Sequence, residues 1–228
     1  MNSFFKYTMV LLVLCCTVCS SGQSAAQTVR ISRLAVMPLS EGRPSPANAQ
    51  GLSLPDCKET DLAAEAPQAA AVVTGCLQQA LDNQLPGLVV PQNETAGAEE
   101  LLAYMKKTAT IKDHALKLGA HVQASHIIVG AVWRYLERKG TAYGADRPAS
   151  VAFSLYLLDV SSGATVWTAS FDKTQQSLSE NLLDAPEFFK HGAKWLTAEE
   201  LTRWGAEDAA RKLKEFGGGT ATQKTRSH

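Results

Sequence analysis

The fold is decided by residues 150–176, which read SVAFSLYLLDVSSGATVWTASFDKTQQ. The runs 150–160 and 165–172 are rich in apolar, β-branched and aromatic residues, a composition typical of strands. Between them, the short polar loop 161–164 contains Gly163, which can adopt the positive φ that a hairpin turn often needs. This stretch therefore predicts two antiparallel strands joined by a hairpin and followed by a polar segment.

The regions on either side of the hairpin predict further strands and several helices. Residues 125–138 (SHIIVGAVWRYLER) are apolar on both faces, which indicates a central strand. Residues 29–40 predict a first strand that Pro38 ends, and residues 88–91 predict a short second one that Pro91 ends. Helical spacing, stop signals and two capping boxes predict helices at 66–85, 96–108, 110–124, 178–190 and 197–216.

The predicted element order is β-α-β-α-α-β-β-β-α, the 178–190 helix being a short addition. Crossovers through helices favour parallel neighbours, and the hairpins favour antiparallel ones. The fold class is therefore α/β (α+β), with a single mixed parallel and antiparallel sheet and helices packed against it. One domain is predicted over 27–216. It includes a long loop-rich segment at 41–65, and a disordered tail follows it at 217–228.

Composition and charge are those of an ordinary globular protein. Of the 228 residues, 45% are hydrophobic and 19% are charged, which excludes disorder throughout the chain. Lys plus Arg and Asp plus Glu both number 22, so the net charge is zero. No overall field attracts nucleic acid or an anionic membrane, and neither is predicted as a partner.

The amino terminus predicts export. Lys6 precedes an apolar run that is too short to cross a hydrocarbon core of about 30 Å, and small residues follow it, as in a secretory signal peptide over 1–26. Cleavage before Gln27 is the first prediction. The alternative is a lipoprotein signal with Cys19 or Cys16 as the lipidated residue. Either route leads to the periplasm, and the second would anchor the protein to the outer membrane.

Cleavage before Gln27 leaves Cys57 and Cys76. In an oxidising compartment, two cysteines with no further ligand types around them favour a disulfide over a metal site. A Cys57–Cys76 bridge would fasten the loop-rich segment to the helix that follows it, and would contribute on the order of 3 kcal/mol by loop-closure entropy.

No motif for catalysis, a metal or a cofactor is present. The sequence lacks Gly-x-Ser-x-Gly and a Gly-rich phosphate loop, and His121 and His126 do not have a recognised ligand spacing. The acidic pairs 99–100 and 199–200 fall in the first turns of predicted helices, where they complement the helix dipole. The protein is therefore predicted not to be an enzyme and to need no cofactor.

Three motifs together resemble a known group of envelope proteins. These are LAVMPL at 34–39, IIVG at 127–130, and Asp159 with Gly163 and Trp167. They are similar to motifs of the periplasmic and outer-membrane-associated group that includes the curli secretion lipoprotein, lipoprotein activators of penicillin-binding proteins, and the amino-terminal domain of the Tol propeller protein. The stretches 171–182 and 194–201 resemble bacterial envelope lipoproteins of unassigned activity. The resemblance implies the fold and an envelope location, and its motifs carry little information on function.

We therefore expect a non-catalytic binding or assembly factor of the cell envelope with a protein partner, docking on loops 139–148 and 172–195. The alternative is a small-ligand or glycan-binding module that uses Trp133, Tyr143 and Trp167. The candidate partner-binding residues are Tyr143, Arg147, Gln175, Gln176 and Asn181.

Overall fold

The centre of the fold is a long strand with both faces buried, at the position that the 125–138 run predicts. A computed structural model describes residues 29–42, 68–104, 110–141, 144–175 and 195–218, all of which belong to one compact unit. The strands are β1 Leu34–Val36, β2 Ser40–Glu41, β3 His126–Leu136, β4 Lys139–Gly140, β5 Ala145–Arg147, β6 Ser150–Asp159 and β7 Thr165–Thr174. The helices of this part of the chain are α1 Ala69–Gln84, α2 Gln92–Tyr104, α3 Ile111–His121 and α4 Ala198–Gly218.

The main sheet is mixed, which confirms the predicted fold class. Its strands lie in the order β1-β3-β6-β7, and β2 also pairs with β3. β1 and β2 run parallel to β3, because helices connect them, whereas β3, β6 and β7 form an antiparallel meander. β4 and β5 form a separate two-stranded hairpin between β3 and β6.

The two predicted proline-bounded strands differ from the structure. The 29–40 run is divided into β1 and β2, because Pro38 between them has no N–H to donate. The predicted strand at 88–91 contributes a single parallel bridge, Leu34 to Val89, in which Leu34 N donates to Leu88 O at 2.7 Å. Pro91 ends this pairing, and its carbonyl instead accepts from the first turn of α2. For this reason α2 begins at Gln92 rather than at 96.

Helix ends follow local chemistry closely. Both predicted capping boxes are confirmed: Thr110 with Asp113 at α3, and Thr197 with Glu200 at α4. α3 ends at His121 rather than at 124, because Gln123 has a φ of 54° and leaves the helical region. At the other end of the chain, α4 extends past 216 to Gly218.

Each face of the sheet has its own hydrophobic core. α1 and α4 pack on one face, around Leu77, Phe153 and Leu201. α2 and α3 pack on the other face, around Leu118 and Ile127. This arrangement leaves α4 beside β7, the last strand of the sheet in the described part of the chain.

The hairpin loop quoted above forms as its sequence predicts. Gly163 has a φ of 67°. Asp159 Oδ1 accepts from Ser161 Oγ at 2.6 Å and from Ser162 N at 2.7 Å, and these hydrogen bonds lower the pKa of Asp159 to about 2. The Asp159 and Gly163 of the resemblance motif therefore build a turn, which is a structural role.

Several predictions fall outside the described residues. These are the signal peptide at 1–26, nearly all of the segment 41–65, the helix near 178–190 and the tail after 218. No helix among the residues that the structure does describe is long and apolar enough to cross a membrane.

Candidate functional site

A groove runs between β7 and α4, with a cavity volume of about 610 Å³. We call it the edge groove. Its lining residues come from the end of α1, the second half of β7 and one face of α4: Gln84, Ser170, Phe171, Asp172, Lys173, Trp204, Glu207, Asp208, Arg211 and Lys212.

The lining residues place the groove along the outer edge of β7. Successive side chains of a strand point to opposite faces of the sheet, so a cavity on one face touches every second residue. The edge groove instead touches the four consecutive residues 170–173. It therefore follows the edge of the strand that no other described strand occupies, and α4 forms its wall.

The wall has helical periodicity. Trp204, Glu207, Asp208, Arg211 and Lys212 follow one another at spacings of three, one, three and one, which puts them on one face of α4. The opposite face carries the buried Leu213 and the other apolar residues that pack on the sheet. The amphipathic pattern that makes α4 a helix therefore also turns its charged face toward the edge of β7.

Aromatic rings hold the base of the groove in place. Phe171 stacks on Phe153 with a centroid distance of 5.3 Å and meets Trp204 edge-on at 5.7 Å. Lys173 Nζ lies 5.8 Å from the Trp204 ring centroid, within cation–π distance. α4 can approach Phe171 this closely because the facing helical position is Gly205. The groove is thus fastened to the core.

Most of the charges in and around the groove are paired. Asp208 accepts from Arg211 and, at 2.6 Å, forms an ion pair with Lys212. Burial raises the pKa of Asp208, but the hydrogen bonds from Lys212 and Arg211 outweigh burial and leave it below its ordinary value. Asp172 accepts from Arg134 across the sheet. Glu207 is exposed and has no ion-pair partner among the described residues.

Arg147, a predicted partner-binding residue, lies in the small hairpin at one end of the sheet. Its Nη2 donates weakly to Glu137 O at 3.4 Å, and its Nε has no hydrogen-bond partner within the described residues. The Glu137 carboxylate accepts from Ala198 N, at the start of α4. These contacts attach the base of the hairpin to the helix.

Gln175 lies at the same end of the molecule. Its Oε1 accepts from Leu196 N at 2.7 Å, and its N donates to Ala149 O at 3.1 Å. The side chain therefore joins the end of β7 to the residues that precede α4, a task that the sequence did not reveal. Tyr143, Gln176 and Asn181, the other predicted partner-binding residues, lie outside the described residues.

The aromatic residues of the alternative prediction do not meet in the edge groove. Trp167 packs partly against the core of the α1 and α4 face, and Trp133 is half-buried at the irregularity in β3. The aromatic residues that do line the groove are Phe171 and Trp204. The sequence predicted Trp204 only as an apolar position of the last helix.

Cys76 is buried and has no disulfide partner among the described residues, and burial raises the pKa of its thiol. Cys57, Cys16 and Cys19 lie outside the described residues. The Cys57–Cys76 disulfide and the lipidated cysteine therefore stay predictions.

His126 is buried at the start of β3. Its Nδ1 lies 3.0 Å from Ser125 Oγ, and its Nε2 lies 3.8 Å from Asp159 Oδ2. Burial lowers the pKa of His126, and the nearby Asp159 opposes this shift only in part. Among the residues that the structure describes, no three His, Cys, Asp or Glu side chains are grouped so that they could hold a metal ion.

Comparison with known proteins finds no matching family model and no matching curated protein. Similar solved structures include the PelC dodecamer from Paraburkholderia phytofirmans, with 16% identity over 83% of this chain and 91% of that chain and a TM-score of 0.43. They also include the LpoB C-terminal domain from Escherichia coli, with 14% identity, 64% and 86% coverage and a TM-score of 0.39. The lipoprotein GNA1162 from Neisseria meningitidis has 18% identity, 71% and 94% coverage and a TM-score of 0.34. These similarities do not establish a family for this chain.

Proposed function

We propose that this protein is a non-catalytic binding or assembly factor of the bacterial cell envelope, and that a polypeptide partner docks in the edge groove. The observation that carries the proposal is the groove itself, a concave surface between an accessible strand edge and a helix face. A grooved surface with aromatic residues at its base and charges at its rim is the usual composition of a protein-binding site.

The groove is suited to binding because it is already formed. Phe153, Phe171 and Trp204 are in ring contact, and Asp208 pairs with both basic residues of the next turn. Side chains that are held in place before the partner arrives lose little conformational entropy on binding. The partner therefore meets a preorganised surface.

The predicted docking loops supply a second, neighbouring contact in this proposal. The edge groove includes Asp172 and Lys173, which begin the predicted segment 172–195. At the end of β7, Gln175 and Arg147 lie on the two segments that converge near the start of α4. A partner strand that leaves the groove in this direction would reach the 139–148 hairpin.

Export and location belong to the same proposal. The signal peptide over 1–26 directs the chain to the periplasm, either free after cleavage before Gln27 or anchored through Cys19 or Cys16. Intact mass of the protein isolated from membrane and soluble fractions under non-reducing conditions distinguishes these outcomes. The same spectrum reports the Cys57–Cys76 disulfide as a loss of two hydrogens.

Photo-cross-linking tests the proposed function. Benzoylphenylalanine replaces Gln84 or Glu207 in the full chain in its host, and Lys117 serves as the control because it is exposed on α3, which packs on the other face. We expect a protein adduct from both groove positions and none from the control. Absence of groove adducts, or the same adducts from position 117, would refute the proposal.

The same experiment tests the glycan-binding alternative. Trp204 in a polar groove is the observation that favours it, because sugars stack on aromatic rings. Lys173 over the ring opposes it, since the ammonium group occupies part of the stacking surface. An adduct that loses its added mass on muramidase treatment would support glycan binding and contradict a polypeptide partner.

A further inference from the structure

We propose that the partner enters the edge groove as an extended segment and adds a strand to the edge of β7 that no other described strand occupies. This inference rests on the proposed function and states how the partner binds. An extended peptide that joins a sheet edge gains affinity from main-chain hydrogen bonds and specificity from alternate side chains. The edge of β7, the length of the strand and the charge of the groove each support this mode.

The register of the sheet shows which main-chain groups of β7 face outward. Gln175 N donates to Ala149 O, and the pairing of β6 with β7 continues without a shift from Thr174 to Trp167. In an antiparallel ladder, every second residue exchanges hydrogen bonds with the neighbouring strand, and the residues between them point the other way. The outward N–H and C=O groups are therefore those of Thr168, Ser170, Asp172 and Thr174.

These outward groups coincide with the groove. Ser170 and Asp172 both line it. The four outward residues lie within seven strand positions, whose six steps extend about 20 Å at roughly 3.3 Å per residue. An incoming segment of about seven residues can therefore pair along the whole regular part of β7.

In the described part of the chain, neither a proline nor a bulge blocks such pairing along this stretch of β7. Proteins commonly protect edge strands with proline, bulges, charged side chains or a covering helix or loop. Residues 168–174 contain no proline, and the irregularity of this strand lies beyond Trp167. Lys173 extends over Trp204, and Asp172 is engaged by Arg134 across the sheet, so both charges are held by contacts within the protein.

Charge complementarity specifies one side chain of the partner. Asp208 and Glu215 together balance the charges of Arg211 and Lys212, whereas Glu207 has no ion-pair partner among the described residues. The wall of the groove therefore offers one uncompensated carboxylate to the incoming strand. We infer that the partner segment carries a Lys or Arg that faces α4 at this position.

A substitution at Ser170 tests strand addition without disturbing the pairing with β6. Proline has no N–H and is tolerated on edge strands where that N–H faces outward, as it does at Ser170. Ser170→Pro therefore removes an outward donor, and Ser170→Ala, the matched control, removes only the hydroxyl. Thermal unfolding monitored by circular dichroism verifies that both variants are folded.

The probe is a phage-displayed library of random twelve-residue peptides, selected on the full chain. Binding of the enriched peptides is then measured by fluorescence anisotropy. We expect affinity to fall about tenfold in Ser170→Pro, equal to about 1.4 kcal/mol, and to stay within about twofold in Ser170→Ala. Glu207→Gln should weaken binding about threefold, whereas Glu100→Gln, on the other face of the sheet, should have no effect.

A second measurement does not depend on how well the proline variant folds. Backbone N-methylation of one alternate set of peptide residues should abolish binding, and methylation of the other set should leave it unchanged, because only one set faces β7. Peptides that compete with the cross-links from Gln84 but tolerate both methylation sets would refute strand addition and leave the proposed function intact. If no peptide binds and no groove adduct forms, both proposals are wrong.

Discussion

Replacing Gly205 with alanine should destabilise the protein relative to the same replacement at Gly75. Both glycines lie inside long helices, so each replacement gains about 1 kcal/mol of helix propensity. A Cβ at Gly75 meets no atom within 4 Å. A Cβ at Gly205 would lie 2.7 Å from Cγ and Cδ1 of Phe171. These positions therefore form a matched pair that differs in one contact.

The Phe171 ring cannot move away without further cost. It is buried, stacks on Phe153 at 5.3 Å and meets Trp204 at 5.7 Å. Overpacking of a well-filled core costs about 1 to 3 kcal/mol. We therefore expect Gly75→Ala to raise the free energy of unfolding by about 1 kcal/mol. The free energy of unfolding of Gly205→Ala should be about 1 to 3 kcal/mol lower than that of Gly75→Ala.

Urea denaturation of each variant, followed by far-UV circular dichroism, gives the free energy of unfolding, with one common slope fitted to both variants. Adding Phe171→Leu to Gly205→Ala should give a favourable coupling energy, because the smaller side chain relieves the contact. If Gly205→Ala proves as stable as Gly75→Ala, α4 does not pack closely against Phe171 at this position. The stated geometry of the edge groove would then be wrong.

Three further predictions concern single contacts. Gly130→Ala places a Cβ against the main-chain oxygen of Ser154 in the middle of the sheet. The substitution should lower the free energy of unfolding by more than about 3 kcal/mol and greatly reduce the soluble yield. Wild-type yield and stability would contradict this prediction. Thr197→Ala removes the capping hydroxyl of α4 and should lower the free energy of unfolding by about 1 kcal/mol in urea, with an unchanged midpoint as the opposing result. Hydrogen bonding from Ser161 and Ser162 lowers the pKa of Asp159 to about 2. After allowance for solvent screening, the Asp159 carboxylate therefore contributes about 1 kcal/mol to the free energy of unfolding. This contribution is complete above the unfolded-state pKa and is lost as the pH falls from about 4 to 2. Asp159→Asn should flatten stability against pH in that window, and an identical profile would refute the assignment.

The sequence alone determined the features that depend on neighbouring residues. The hairpin around Gly163, the capping boxes at Thr110 and Thr197 and the buried character of β3 all follow from interactions within a few positions along the chain. Proline positions also indicated where β1 ends, although not that the chain would resume pairing as β2.

Only the tertiary structure decided where the candidate site lies. Residues 170–173 and Trp204 are separated by about thirty positions, and no local pattern states that α4 packs beside the edge of β7. Among the described strands, the sheet order puts β7 at the edge, and the register turns the main-chain groups of Ser170 and Asp172 outward. Periodicity identifies which face of a helix or strand is apolar, but the partner of that face is chosen by packing of the whole chain. For that reason the sequence predicts Trp204 only as an apolar position of the last helix, and the fold makes it part of the groove wall.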